Sequence, residues 1–146
     1  MREIEYRGKR ADNGEWVYGS LINKFDVDAL CVSSSYIIER SAFSISADSD
    51  TTLYDVACLD DYYEVDEGTV GQFTGLKDKN GVKIYEGDIV KMLNIDEYPM
   101  QIKWHKEWAR FIFYNLVNKA EMNLFTEQCE VIGNIYDNPE LIKESE

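Results

Sequence analysis

The chain has 146 residues, 45% of them hydrophobic, enough to bury the core of one domain or of a domain with an added lobe. Its 28 acidic residues face 15 basic ones, and the formal charge of −13 argues against double-stranded nucleic acid as a ligand, since that affinity comes from neutralising phosphates. No run approaches the roughly 18 apolar residues of a membrane span, and the N-terminus MREIEYRGKR lacks the apolar stretch of a secretory signal, so the expected compartment is the cytoplasm, with no membrane role.

Ile4 and Tyr6 alternate with charged residues in Met1–Arg10, the pattern of a short strand. Asp12-Asn13-Gly14 is a turn, and Asn13-Gly14 is a hairpin signal because both residue types tolerate φ > 0. Glu15–Ile22 then reads as a strand with Trp16, Tyr18 and Ser20 on one face and Val17, Gly19 and Leu21 on the other. Phe25–Val32 is a weaker apolar segment, Ser33–Ser35 breaks it, and Tyr36–Glu39 resumes as a strand. Phe43–Asp50 has the character of a strand edge running into a polar turn. Thr51–Glu67 admits two readings. One is a helix opened by Asp50 or Thr51; the other is a strand over Leu53–Val56, an acidic loop and a short strand over Tyr62–Val65. Aromatic and β-branched clusters favour the second.

Thr69–Lys91, TVGQFTGLKDKNGVKIYEGDIVK, specifies a tightly turned meander. Thr69–Thr74 is a strand, Asn80-Gly81 a hairpin turn, Val82–Tyr85 a strand, Glu86-Gly87-Asp88 a turn, and Ile89–Asn94 the next strand. Ile95–Pro99 reads as a loop, because Pro99 cannot donate to a ladder. Met100–Trp104 and Arg110–Leu116 form a strand pair with His105–Glu107 near their connection. Glu121–Glu127 is a link to the final strand, Cys129–Tyr136, and Pro139–Lys143 is one helical turn with Asn138 as N-cap. Val70-Gly71-Gln72-Phe73-Thr74 echoes Ile132-Gly133-Asn134-Ile135-Tyr136. Each of two strands therefore carries a mid-run glycine, where a bulge or a close backbone approach is expected. Short strands at regular intervals point to a mainly β fold, with α+β as the variant. Residues 1–67 would form an N-terminal β-rich lobe and residues 68–146 a small SH3-like or similar β-barrel.

Three blocks, MREIEYRGKRADNGEWVYGSLI, TVGQFTGLKDKNGVKIYEGDIV and EVIGNIYDNPEL, resemble in order the signature blocks of the YopX-like family of phage and prophage proteins. The resemblance implies a mostly β fold with a small barrel in the C-terminal half, and an origin in a phage or prophage acting in a host-cell cytoplasm. It carries over no catalytic residue. The likeness is weakest over Asn23–Glu67.

That weak stretch overlaps the acidic one. Ser41–Leu76 has no Lys or Arg but holds Asp48, Asp50, Asp55, Asp60, Asp61, Glu64, Asp66 and Glu67. Charge runs are mostly solvated faces. The sharper reading is a docking face for a basic partner, with Asp48, Asp50, Asp60, Asp61, Glu64, Asp66 and Glu67 as its candidate residues. Asp60-Asp61 with Glu64 lacks the spacing of a calcium loop. Cys31, Cys58 and Cys129 are odd in number and far apart, which fits reduced, buried thiols rather than disulfides or zinc. His105 is the only histidine, and a general base needs an orienting partner; Glu107 would share its face only if the strand continued that far. No catalytic residue, metal or cofactor is therefore expected.

Aromatic residues crowd one hairpin, Trp104, Trp108, Phe111, Phe113 and Tyr114, with Lys103, Lys106 and Arg110 among them. Alternation assigns Trp104, Phe111 and Phe113 to the core. Lys103, Lys106, Trp108 and Arg110 are left as a candidate face for single-stranded nucleic acid, whose bases stack on exposed aromatic rings. Tyr6, Arg7, Lys9 and Arg10 form a smaller basic patch suited to a subunit or partner contact. The expectation is a non-enzymatic binding or assembly module, homo-oligomeric, that contacts an unidentified host or phage protein. Single-stranded nucleic-acid binding is the alternative.

Overall fold

The computed structural model describes residues 1–26, 31–39, 62–93, 98–124 and 128–143. Their regular structure is almost wholly antiparallel β, so the mainly β class holds. They divide into two compact units, Ile4–Val70 and Gly71–Glu146, the latter joined by Met1–Glu3. The expected elements over Phe43–Asp50 and Leu53–Val56 lie outside the described residues.

In the first unit, β1 (Tyr6–Lys9), β2 (Trp16–Asp26), β3 (Cys31–Glu39) and β4 (Tyr62–Val65) pair in order, each antiparallel to the next. Val17, Ile37 and Val65 are buried at its centre, with Tyr6, Leu21, Tyr63 and Val70 packed around them. The β2 alternation is as expected: Val17 and Gly19 are buried, Tyr18 and Ser20 exposed. The β1–β2 turn is not a two-residue Asn-Gly turn. Arg10 N–H donates to Glu15 O at 2.9 Å, closing a four-residue loop in which Gly14 alone takes positive φ, +73°. The Asn13 side chain braces that loop by accepting from Glu15 N–H at 2.9 Å.

The serine run does not break the sheet, and β3 passes through it. Ser35 is buried, with its Oγ 2.9 Å from Asn23 Oδ1 and 3.1 Å from Glu67 Oε1. A hydroxyl satisfied by neighbouring side chains has no need to divert its own backbone from the ladder. At the far end β1 meets the strand after next but one: Arg10 bridges Val65, and Asp66 N–H donates to Lys9 O at 2.8 Å.

The second unit opens with the hairpin β5 (Gly71–Lys77) and β6 (Lys83–Tyr85). A five-stranded sheet follows: β7 (Asp88–Met92), β8 (Pro99–His105), β9 (Arg110–Asn115), β10 (Glu121–Asn123) and β11 (Cys129–Asn134), in the order β10-β9-β8-β7-β11. Pro99 is tolerated as the first residue of β8. The expected link over Glu121–Glu127 includes strand β10, paired to β9 from Glu121 opposite Tyr114 to Asn123 opposite Ile112. Ile84, Val90, Met92, Met100, Ile102, Phe111, Phe113 and Cys129 form the core. The single turn α1 (Glu140–Lys143) ends the described chain, with Asn138 O accepting from Leu141 N–H at 3.1 Å.

The expected barrel does not close. Closure would need the outer strands of the sheet to pair, but the β5–β6 turn occupies the outer edge of β11. Lys79 N–H donates to Cys129 O at 3.1 Å, and Val131 N–H donates to the buried Asp78 Oδ2 at 3.0 Å. The turn itself has three residues, with Asp78 N–H donating to Val82 O at 2.8 Å and Gly81 at φ +81°. Both echoed glycines have their expected close approaches. A Cβ on Gly71 would lie 2.6 Å from Glu86 O, and one on Gly133 2.3 Å from Asn138 Oδ1. The β11–β7 register shifts between Val131 and Gly133, which marks the bulge.

Candidate functional site

Of the acidic candidates, Asp48, Asp50, Asp60 and Asp61 lie outside the described residues. Asp66 and Glu67 have structural work: Asp66 Oδ1 accepts from Gly68 N–H at 3.0 Å, capping a 3-10 turn over Glu67–Thr69, and Glu67 reaches Ser35. Glu64 points outward, and cross-strand pairing sets it in one row with Tyr36 and Ile22. The next row on that outer face joins Ser20, Ile38 and Tyr62. Tyr18 is 43% exposed, Ile22 48% and Tyr62 53%, and Tyr36 meets Tyr62 edge to face at 5.8 Å. The solvent side of an antiparallel sheet is ordinarily polar. Here it is a patch of isoleucine and tyrosine with one carboxylate, Glu64, and one ammonium, Lys24, which the sequence signalled only as an acidic segment.

The basic residues of β1 and its turn are held by aromatic rings. Arg7 Cζ lies 4.7 Å and Lys9 Nζ 5.4 Å from the Trp16 ring centre, and Arg10 Cζ lies 4.3 Å from that of Tyr63. Arg10 also donates from Nε to Asp12 Oδ1 at 2.8 Å.

The second candidate face is the β8–β9 hairpin. Ile102, Phe111 and Phe113 are buried as expected, but Trp104 is 42% exposed, packed edge-on to Phe111 at 5.0 Å where the core opens at the strand end. Lys103 Nζ sits 3.7 Å over the Tyr114 ring, and Lys106 is exposed in the turn. Trp108, 48% exposed, stacks on His105 at 4.1 Å, and Arg110 Cζ lies 4.8 Å from the indole centre. Three of the four candidates thus lie against rings, Lys103 on Tyr114, Trp108 on His105 and Arg110 on Trp108, while Lys106 is exposed in the turn.

His105 has a structural part in this hairpin. Its Nδ1 accepts from Trp108 N–H at 3.2 Å, and its Nε2 lies 3.3 Å from Glu121 Oε2, so the ring carries its proton on Nε2 and directs it to that carboxylate. β8 ends at His105, so Glu107 is not its partner. Cys129 is buried, and burial, with Asp78 adding to it, pushes its thiol up to about 11. That thiol stays protonated at neutral pH and is a poor nucleophile. Among the described residues no three metal-ligating side chains converge, and no helix is long and apolar enough to cross a membrane.

Ala109 closes the hairpin at φ +49°, a conformation that disfavours any residue with a Cβ. Replacing Ala109 by glycine is expected to raise stability by about 0.5–1 kcal/mol, read as a higher urea midpoint at unchanged m-value. A lower midpoint would show that the strain is absent.

Beside this turn the second unit has an open cleft of about 410 Å³, lined in part by Arg2, Gly75, Leu76, Trp104, Arg110 and Leu124. It is the concave counterpart of the hairpin face, and its residues were not grouped by sequence reasoning because Arg2 and Trp104 lie a hundred positions apart.

Comparison with known proteins adds the following. The family model described as YopX protein matches residues 5–143. The crystal structure of protein EF1440 from Enterococcus faecalis is similar at 23% identity, over 98% of this chain and 100% of that one, with a TM-score of 0.56. At that identity the likeness speaks for the fold alone. No curated protein matches.

Proposed function

The chain belongs to the YopX protein family, and from that footing we propose that it is a non-enzymatic binding module that docks a basic partner protein on the outer face of β2–β4. The observation that carries this reading is the exposed patch of Tyr18, Ile22 and Tyr62 beside Glu64. Contiguous apolar surface on a soluble sheet marks an interaction site, and tyrosine supplies contact area at low entropic cost.

Charge selects the partner. With a net charge of −13, the protein attracts a surface whose apolar centre is rimmed by Lys and Arg. Among the described residues His105 is engaged by Trp108 and Glu121 and Cys129 is held as a buried thiol, which supports the non-enzymatic reading.

The test is affinity capture from cells carrying the phage or prophage, with wild type compared to an Ile22→Ser/Tyr62→Ser double variant and to Glu64→Lys. Captured protein should fall by about tenfold or more in the double variant, as for removal of central contacts, and Glu64→Lys should weaken capture most at low salt. Equal capture by all three proteins would sink the proposal. So would light scattering that shows a defined homo-oligomer dispersed by the double variant, since the face would then be occupied by a second copy.

A further inference from the structure

We infer that the cleft beside the β8–β9 turn is a nucleotide site, taking one base with its phosphate. The proposal concerns a different surface from the β2–β4 face and stands independently of it. The cleft is built wholly from the second unit, by Arg2 of its N-terminal segment and residues of β5, β8, the β8–β9 turn, β9 and the stretch after β10.

Three features fit one ligand. First, two arginines, Arg2 and Arg110, line the cleft, and neither has an ion-pair partner among the described residues. In a chain with nearly two acids for each base, two arginines that meet at one concavity with no acidic partner among the described residues are a charge arrangement that suits an anion. Guanidinium forks suit phosphate oxygens, and two forks suit a dianion better than a single carboxylate. Second, Trp104 leaves 42% of its surface open at the cleft, with Leu76 exposed to 40% and Leu124 nearby. An indole flanked by aliphatic side chains is a stacking surface for a heterocycle. Third, the space is kept open by the backbone. Gly75 sits at φ +87°, where a side chain is strained, and Thr74 turns its hydroxyl away to Ile84 O at 2.9 Å.

The turn also explains how Arg110 is held. His105 stacks on Trp108, Trp108 engages the Arg110 guanidinium, and the positive φ of Ala109 lets residues 108 and 110 meet. Trp108 is thus a positioning residue for the cation, while Trp104 is the surface on which the base stacks. The overall negative charge limits the ligand to few phosphates, because each further one meets a repulsive field.

The full chain would be titrated at low salt with thymidine monophosphate, with a short oligothymidylate and with a Glu-Tyr copolymer, following tryptophan fluorescence. Either thymidine ligand is expected to quench emission and to be weakened by added salt. Arg2→Gln and Arg110→Gln should each weaken binding about tenfold, from the loss of a charge-assisted contact, and Trp104→Leu should remove the quench. Lys103→Gln, on the opposite face of β8, should leave affinity unchanged. Preference for the oligonucleotide would identify the source as a single strand, and equal binding a free nucleotide; both support the site. Absence of quenching by both, insensitivity to both arginine variants, or binding of the copolymer alone would overturn it. A wild-type urea midpoint in each variant ensures that loss of binding is not loss of fold.

Discussion

Replacing Asp78 by alanine is expected to destabilise the second unit by about 3–4 kcal/mol. The carboxylate is buried and accepts three backbone N–H bonds: Asn80 at 2.8 Å and Val82 at 2.9 Å on Oδ1, and Val131 at 3.0 Å on Oδ2. Two of those bonds shape the β5–β6 turn and the third fastens it to the edge of β11. Hydrogen bonds to a charged acceptor contribute roughly 1.5–3 kcal/mol each and stranded N–H groups add a penalty, but removing the carboxylate also relieves its own burial cost of several kcal/mol, which brings the net loss down. Glutamate would not restore the bonds, because its longer stem cannot place both oxygens in the same turn.

The same geometry sets an acid dependence. Burial pushes the Asp78 carboxyl up, but the N–H groups of Val131, Val82 and Asn80 and the Lys79 charge together outweigh it and hold the group below its ordinary value. A depressed native value means that its stabilisation is present above the unfolded carboxylate range, near pH 4, and is lost as pH falls through the native value. Wild type should therefore lose its advantage over Asp78→Asn as pH is lowered below about 4. Urea denaturation at several pH values checks both claims; a constant gap would mean that the charge contributes nothing.

Gly19→Ala should be nearly as damaging, by about 3 kcal/mol. A Cβ there would fall 1.9 Å from Ile38 O and 3.1 Å from Glu39 Cα, both backbone atoms of the paired strand β3. No rotamer change relieves such a clash, so β2 and β3 must separate and the Val17–Ile37–Val65 core loosens with them. Ser20→Ala, one residue on and exposed, should stay within about 0.5 kcal/mol. Hydrogen exchange should localise the Gly19→Ala effect to β3 amides; uniform protection in the variant would refute the argument.

Gly19 also shows how far pattern reading reaches. The alternation in EWVYGSLI grouped it correctly with Val17, on the face that is buried, yet the close approach was expected at Gly71 and Gly133 because those two echo each other. All three positions press on another backbone or side chain. What distinguishes Gly19 is the partner strand, twenty residues away, and no local signal names it. Ser33–Ser35 failed for a related reason. Serine competes with a ladder when its hydroxyl turns to its own backbone, and here Asn23 and Glu67 take that hydroxyl instead.

The candidate sites divide in the same way. Composition identified the acidic segment, most of which lies outside the described residues, and the aromatic hairpin, which is the β8–β9 pair. Which side chains remain available was invisible there. Lys103 settles on Tyr114, Arg110 on Trp108 and Trp108 on His105, while Trp104, expected in the core, emerges at a cleft with Arg2.

By itself the sequence determined the family, the mainly β class, most strand limits, the turns at Gly14, Gly81 and Gly87 and the two glycine contacts, because periodicity and turn chemistry act within a few residues. Tertiary structure alone decided the open sheet, the anchoring of β11 by Asp78, the tyrosine–isoleucine face and the arginine cleft. Each of these joins residues tens of positions apart, and the energy that selects such contacts exists only once the intervening chain has folded.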